Sequence, residues 1–409
     1  MQKMPEQAVI LAGGRGSRLM PLTKDCPKPM VPVNGVPFLQ ILLDQLEQAG
    51  FTRVVLLTGY LAEQVEQRFG CVYGQLELTY VELPEELDTA ERVWAARDLF
   101  DAEFMLLYAD NYLRLDFQQH LAQWQNETAM QLLVVEKSPG NLQLNESGQV
   151  VLYDARRQSP LAKYVELGFM WLRWRAIEGF FHPDVKNFNT IIQKVIGAGL
   201  ASATYTERPY FSISDPERLA KTAAYFQPRK LILIDRDGTI NKRAPQGEYV
   251  TDWQSFHLIP SSIEAMAELA RLGFEFVVIT NQAGIGRGVC TTEQIDLLHQ
   301  RMVSELAVLN IPVLRVIMCP HHWLEQCRCR KPAPGMFYLL EKELLLHLPD
   351  YVYIGDDSRD MQAAANAGCQ GLFLGESTDL AEMPALGCFA DLRDAIPKLV
   401  AHYQRVGAI

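Results

Sequence analysis

The sequence lacks any apolar run approaching the roughly 20 residues needed to cross a bilayer. It also lacks an excess of positive charge: 38 lysines and arginines face 49 aspartates and glutamates, for a net charge of −11. That balance argues against a nucleic-acid-binding surface, which needs clustered Lys and Arg. Disulfide density is missing too. Of eight cysteines, Cys26, Cys71, Cys290, Cys369 and Cys388 are scattered singly, without the crowding of a disulfide scaffold. The opening MQKMPEQAVILAGG passes straight into a strand-like run and makes a poor signal peptide. A reducing cytoplasm is the expected setting. No internal repeat and no low-complexity segment is present. What remains is an ordinary globular composition, 48% hydrophobic and 21% charged, spread over 409 residues. That is too long for one core of usual size, so two or three domains are expected.

Apolar runs alternate with amphipathic stretches twice over. AVILAGG at 8–14 is a short apolar run ending in glycines; PFLQILLDQLEQAG at 37–50 has helical spacing, and RVVLLTGY at 53–60 reads as a second strand. The rhythm restarts near residue 226, after YFQPRK, whose Pro228 marks the boundary. LILIDRDGT (231–239) is a buried strand ending in polar residues, followed by a helix at 261–273 and the strand FEFVVITN at 274–281. Strand–helix alternation at this period predicts an α/β fold with parallel sheets covered on both faces. Ligands of such sheets sit beyond the carboxyl ends of the strands. Two domains follow, 1–226 and 229–409.

In the first half, LAGGRGSRLMPLTKDCPKPMVPVNGVPFL spans residues 11–39. Gly13, Gly14 and Gly16 let backbone amides approach a triphosphate, and Arg15 and Arg18 bring charge to it. Lys28, between two prolines, is aimed by a stiffened loop. The whole string closely resembles the signature of sugar-1-phosphate nucleotidyltransferases, in which a sugar phosphate attacks the α-phosphate of a nucleoside triphosphate. The resemblance implies a Rossmann-like fold to about residue 226, catalysis by charge neutralisation and alignment, and Arg18 and Lys28 on the triphosphate. It also implies Mg²⁺ on Asp110, and Gly59 and Tyr60 at the base-binding edge. Three segments depart from the family pattern. The base-and-sugar loop reads Leu87-Asp88-Thr89-Ala90-Glu91-Arg92; Asp154-Ala155-Arg156 precedes Glu166-Leu167-Gly168-Phe169; and Ser212 stands where the family has its second metal-binding aspartate, with Asp215 three residues on. Serine is a poor Mg²⁺ ligand beside a carboxylate.

In the second half, Asp235 and Asp237 follow a buried strand two residues apart, so both can share one site only at the strand tip. Thr280-Asn281 ends the next strand, Lys331 lies on KPAPGM, and IGDDSRDM places Asp356 and Asp360 after a third. This ordered set resembles the haloacid-dehalogenase-type phosphatases, and implies a Rossmannoid second domain. The resemblance makes Asp235 the nucleophile and Asp237 the acid and base. Thr280 and Lys331 then stabilise the transferring phosphoryl group, and Asp235, the Asp237 carbonyl and Asp356 hold Mg²⁺. Asp360 is expected to order its loop and Asp357 to be a solvated turn residue.

Finer detail, GEYV, TNQAGIGRG, CPHH…CRCRKP and GDDSRDMQAAANAG, is similar to the heptose 1,7-bisphosphate phosphatases, with histidinol-phosphate phosphatases as closest relatives. Asn281, Arg287 and Arg330 become expected substrate contacts, the arginines for a second phosphate. Cys319-x-His321 and Cys327-x-Cys329 are two ligand pairs across a short turn, a tetrahedral Cys₃His set suited to structural Zn²⁺. His322 competes with His321, which matches the family's C-x-H. The expectation is a bifunctional enzyme: one half removes the C7 phosphate of D-glycero-D-manno-heptose 1,7-bisphosphate, the other transfers a nucleotide, GMP from GTP, to heptose 1-phosphate. The partners are then sugar phosphates and a nucleoside triphosphate, with no nucleic acid and no membrane. Against it stand a phosphatase with a weak nucleotide-sugar-binding half, and a histidinol-phosphate phosphatase. The sequence is silent on oligomeric state, and ESTDLAEMPALGC, from 376, carries no readable chemistry.

Overall fold

The computed structural model describes residues 4–245, 247–376 and 384–409. Met1–Lys3 of the opening segment and residues 377–383 of ESTDLAEMPALGC lie outside them. The chain forms two compact units, Met1–Ala224 and Tyr225–Ile409.

The first unit is organised by the strand Gln7–Leu11, whose apolar residues are buried except at its last position. It pairs in parallel with Arg53–Thr58 on one side and Glu103–Tyr108 on the other. The chain thus leaves this strand at a point where the strand order reverses, which opens a crevice at its carboxyl end. The helix Phe38–Gln48 covers the sheet with a stripe of Phe38, Leu39, Leu42, Leu43 and Leu46. The sheet is not all parallel. Tyr164–Arg173 runs antiparallel to Glu103–Tyr108 and to Met130–Glu136, extending the parallel centre into a ten-stranded mixed sheet.

The second unit has a six-stranded sheet, all parallel, in the order Val313–Cys319, Glu275–Asn281, Leu231–Ile234, Val352–Gly355, Gln370–Leu374, Cys388–Phe389. LILI at 231–234 is wholly buried, as a strand covered on both faces must be. The strands of 231 and 352 bracket the second reversal point, and three strand tips converge there. The helix Leu392–Arg405 closes the chain.

Candidate functional site

Asp235 leaves the sheet at the tip of Leu231–Ile234, its N–H donating to Ile354 O at 2.8 Å. Lys331, 3% exposed, reaches it from the loop beyond the adjacent strands. Its ammonium lies 2.7 Å from Asp235 Oδ1, 2.7 Å from Asp360 Oδ1, 2.7 Å from the Tyr353 hydroxyl and 3.0 Å from Ile279 O. Four acceptors for three protons fix this group in place. Asn281 brackets the lysine loop: its amide donates to Lys331 O and accepts from Lys331 N, both at 3.1 Å. Thr280, 1% exposed, accepts from Gln282 Nε2 at 2.8 Å.

Asp237 faces a different set. Arg236, fully buried, donates to both of its oxygens at 3.0 and 3.1 Å, Asn241 to one at 2.9 Å and Gln282 to the other at 3.0 Å. Burial alone would push this carboxyl up, but Arg236 and the other donors hold it below the usual range. Asp235 behaves oppositely. Burial pushes it up to about 7, with Lys331 opposing and Asp360 adding to the rise. Asp356 rises to about 6, again by burial, with Arg243 pulling it down. The rises at Asp235 and Asp356 come from burying carboxyls close together, a setting in which a bound cation favours both in the ionised form.

One oxygen each of Asp235, Asp356 and Asp360 lies within 4.8 Å of the others. Arg243 spans part of the same ground, donating to the Asp237 carbonyl at 3.3 Å and to Asp356 Oδ1 at 2.9 Å. A guanidinium thus lies against two of the oxygens expected to hold Mg²⁺, and hard oxygen donors such as these suit that ion. Gly238 is required for it: at φ 93°, its Cβ would stand 1.7 Å from Asp356 Oδ2. The cleft of about 720 Å³ above the site is lined by Asp235, Asp237, Thr280, Arg287, Arg330 and Lys331, with others. Arg287 lies 5.4 Å from the Trp323 ring centre and donates to the Tyr249 hydroxyl at 3.2 Å. Arg330 Nη1 is buried without a hydrogen-bond partner, so it has a donor to spend on a ligand.

Beside this cleft Cys319 Sγ lies 3.6 Å from Cys327 Sγ and 3.4 Å from Cys329 Sγ, and His321 Nδ1 lies 3.1 Å from Cys329 Sγ. Tetrahedral Zn²⁺ with bonds of about 2.3 Å separates its sulfurs by roughly 3.8 Å, so the four atoms fit that ion. His322 turns away: its Nδ1 accepts from Leu324 N at 3.1 Å and caps the turn Trp323–Glu325. The loop is locked to its neighbour at Gly286, which donates to Pro320 O at 2.8 Å and whose Cβ would meet His322 N at 2.4 Å. Arg330 and Lys331 follow Cys329 directly. Metal analysis should give about one zinc per chain, and Cys329→Ser should remove it, with phosphatase kcat falling at least about tenfold because the lysine loop loses its anchor. A zinc-free variant of unchanged kcat would detach the cluster from the site.

In the first unit Gly13, Gly14, Lys28 and Asp110 line a cleft of about 300 Å³ together with Asp88, Thr89, Arg92 and Tyr108. Lys28 forms an ion pair with Asp110 Oδ2. Gly16 takes φ 65°, and its Cβ would lie 2.9 Å from Lys28 Cβ, so the glycine lets the lysine pass. Arg15 is exposed, paired with Glu85 and 5.2 Å over the Tyr60 ring. Arg18 is exposed as well, and neither arginine lines that cleft. The 212 segment runs beside Asp110, Ile213 N donating to Asp110 O at 3.0 Å. It offers only a hydroxyl, Ser212 Oγ, 2.7 Å from Ser214 Oγ. Asp215 is engaged at the start of the next helix, accepting from Arg218 N at 2.9 Å. The segment therefore adds no carboxylate to Asp110, and a two-carboxylate metal seat of the family kind is not formed.

Three side chains that order the second unit's site carry no motif of their own. Tyr353 lies in a strand, Arg236 between the two aspartates and Arg243 in the loop after them. In the first unit Glu166 belongs to a segment that departs from the family pattern. Burial raises the Glu166 carboxyl, and the Asp110 charge adds to the rise. Only Arg236 had a usable signal, a charge inserted between two catalytic-type carboxylates.

The nucleotidyl transferase family model matches residues 7–142, and the polynucleotide kinase 3 phosphatase model matches residues 230–369. A D-glycero-beta-D-manno-heptose-1,7-bisphosphate 7-phosphatase of Escherichia coli O6:H1 is 39% identical over 181 residues, 41% of this chain and 94% of its own length. The crystal structure of the D,D-heptose 1,7-bisphosphate phosphatase from B. bronchiseptica, complexed with magnesium and phosphate, is 30% identical and superposes with a TM-score of 0.37. It covers 42% of this chain and 98% of its own. HddC from Yersinia pseudotuberculosis, complexed with GMP-PN, is 25% identical with a TM-score of 0.46, covering 54% of this chain and all of its own.

Proposed function

We propose a two-step role from this premise: through its second unit, the chain belongs to the D-glycero-beta-D-manno-heptose-1,7-bisphosphate 7-phosphatase family. Residues 229–409 would act as the phosphatase and residues 1–226, which carry the nucleotidyl transferase domain, as the transferase. The first would cleave the C7 phosphate of the heptose bisphosphate, and the second would join the resulting heptose 1-phosphate to a nucleotide. The observation that carries the phosphatase reading is the Lys331 ammonium, 2.7 Å from both Asp235, at the tip of Leu231–Ile234, and Asp360, in the helix after the adjacent parallel strand. Asp235 would attack phosphorus, forming an aspartyl-phosphate while the sugar oxygen leaves. Asp237, turned by Arg236, Asn241 and Gln282, would deliver the proton to that oxygen and then take one from water. Lys331 and Thr280 would hold the equatorial phosphoryl oxygens, and Arg330 with Arg287 would take the phosphate at the far end of the sugar. Mg²⁺ held by Asp235, Asp356 and the Asp237 carbonyl would offset the repulsion between two anions. Zn²⁺ would be structural.

In the transferase, Arg18, Lys28 and the glycine loop would align the triphosphate and pyrophosphate would leave. Asp110 would orient Lys28, and any Mg²⁺ it bound would rely on phosphate oxygens for the rest of its shell. GTP is favoured because transferases of this sequence type act in GDP-heptose synthesis, on the way to lipopolysaccharide. Among the described residues no helix is long and apolar enough to cross a membrane, which accords with cytoplasmic work on soluble sugar phosphates. The test follows phosphate release from the bisphosphate and pyrophosphate release from heptose 1-phosphate with GTP. Pyrophosphate from no nucleotide would leave only the phosphatase, and dominant histidinol-phosphate turnover would end the heptose reading.

A further inference from the structure

Arg92 is 4% exposed, although it carries a full charge and lines the cleft of Gly13, Gly14 and Lys28. Its Nε donates to Leu87 O at 2.9 Å, its Nη1 to Thr58 O at 2.9 Å, and its Nη2 to Pro84 O at 2.9 Å and Glu85 O at 3.3 Å. Every one of these acceptors is a neutral backbone carbonyl. Asp88, Glu85 and Glu86 lie near enough to favour the charge of Arg92 through space, but none forms an ion pair with it. Glu85 pairs with Arg15, Asp88 accepts from Thr89 N and Asn187, and Glu91 accepts from Asp88 N at 2.8 Å. Among the described residues no carboxylate stands within ion-pair distance of this guanidinium. Buried charges are ordinarily paired, because carbonyl dipoles solvate a charge without cancelling it.

The glycine loop is built around this group. A Cβ on Gly13 would lie 2.1 Å from Arg92 Nη1, and one on Gly59 2.8 Å from it. Gly13 thus has two faces, one open to the cleft and one closed on a cation. We infer that the direct ionic partner Arg92 lacks is the triphosphate itself. Arg92 is a positioning residue that holds a fixed positive charge behind the glycine loop and draws the nucleotide's phosphates onto it, in a site where position 212 supplies no metal-binding carboxylate. The inference rests on the nucleotidyl transferase reading of the first unit. It adds to the exposed Arg15 and Arg18, outside the cleft, a buried charge in low dielectric, where it acts most strongly.

The test is calorimetric binding of GTP, GMP and guanosine to the full chain, with no turnover required. Arg92→Met removes the charge and keeps the length, and Arg92→Lys keeps the charge while losing most of the carbonyl bonds. For Arg92→Met the Kd of GTP should rise at least ~30-fold, that of GMP several-fold and that of guanosine less than about twofold, since the loss scales with phosphate charge. Arg92→Lys should retain most of the preference for GTP over guanosine. Equal weakening of all three ligands in Arg92→Met would make Arg92 a structural prop, and loss of the preference in Arg92→Lys would also overturn the charge argument. Circular dichroism and melting curves check that each variant folds; if Arg92→Met does not, the Arg92→Lys ratio decides alone. Wild-type protein that bound none of GTP, ATP, UTP, CTP and dTTP would remove the transferase reading, and this inference with it.

Discussion

Asp235→Asn is expected to lower phosphate release at least about a thousandfold in kcat, the scale seen when a covalent nucleophile is removed, with pyrophosphate release left within about twofold. The substitution is nearly isosteric, so the cleft should survive it. Lys331 keeps Asp360, Tyr353 and Ile279 O as partners, and its loop keeps the Asn281 bracket. What disappears is the anionic oxygen 2.7 Å from the lysine, and with it the capacity to form an acyl phosphate. Phosphate and pyrophosphate assays on one preparation separate the outcomes. Residual phosphatase activity above a few per cent would place the nucleophile elsewhere. Concurrent loss of pyrophosphate release would show that the two activities depend on each other, against the expectation of independent sites.

The same residues show what could be read before the structure and what could not. The positions of Asp235, Lys331 and the cysteine–histidine loop were legible because each is local chemistry. A strand tip, a lysine on a proline-bounded loop and paired ligands across a turn all have spacings of a few residues. The central parallel strands of both units were legible for a similar reason, since buried runs such as LILI need no distant partner to be recognised. The antiparallel extension of the first sheet was not, because Tyr164–Arg173 is as apolar as a parallel strand and its direction is set by tertiary pairing. Arg92 looked like a departure from a loop pattern, and only its burial against Gly13 and Gly59 gives the change a physical purpose. Asn281 reads as a substrate contact; in the fold it lines the cleft, and its amide also brackets the Lys331 backbone.

A second large effect lies in a residue that no motif touches. His120, on the helix Phe117–Ala122, is 2% exposed and stacks on Trp171 at 6.4 Å between ring centres. Burial holds its imidazole down to about 3, with a backbone contact at Leu132 opposing only weakly. In the unfolded chain the same group titrates near 6.5. The sign follows. Above about pH 6.5 neither state binds the proton and folding is unaffected; below it the unfolded chain takes up a proton that the folded one refuses, so stability falls as the pH drops towards 3. At about 1.4 kcal/mol per pH unit, the loss by pH 4 is about 3 kcal/mol, a large share of the 5–15 kcal/mol typical of a domain. His120→Leu, neutral and similar in volume, should remove that slope. The stability difference between wild type and variant, from urea unfolding of the full chain followed by tryptophan fluorescence, should shift by about 3 kcal/mol between pH 7 and pH 4. Parallel pH curves for the two proteins would show that His120 accepts its proton in the fold. A wild-type curve that falls relative to the variant's as the pH drops would instead make one buried imidazole in the core around Trp171 a main reason for the first unit to lose stability in acid.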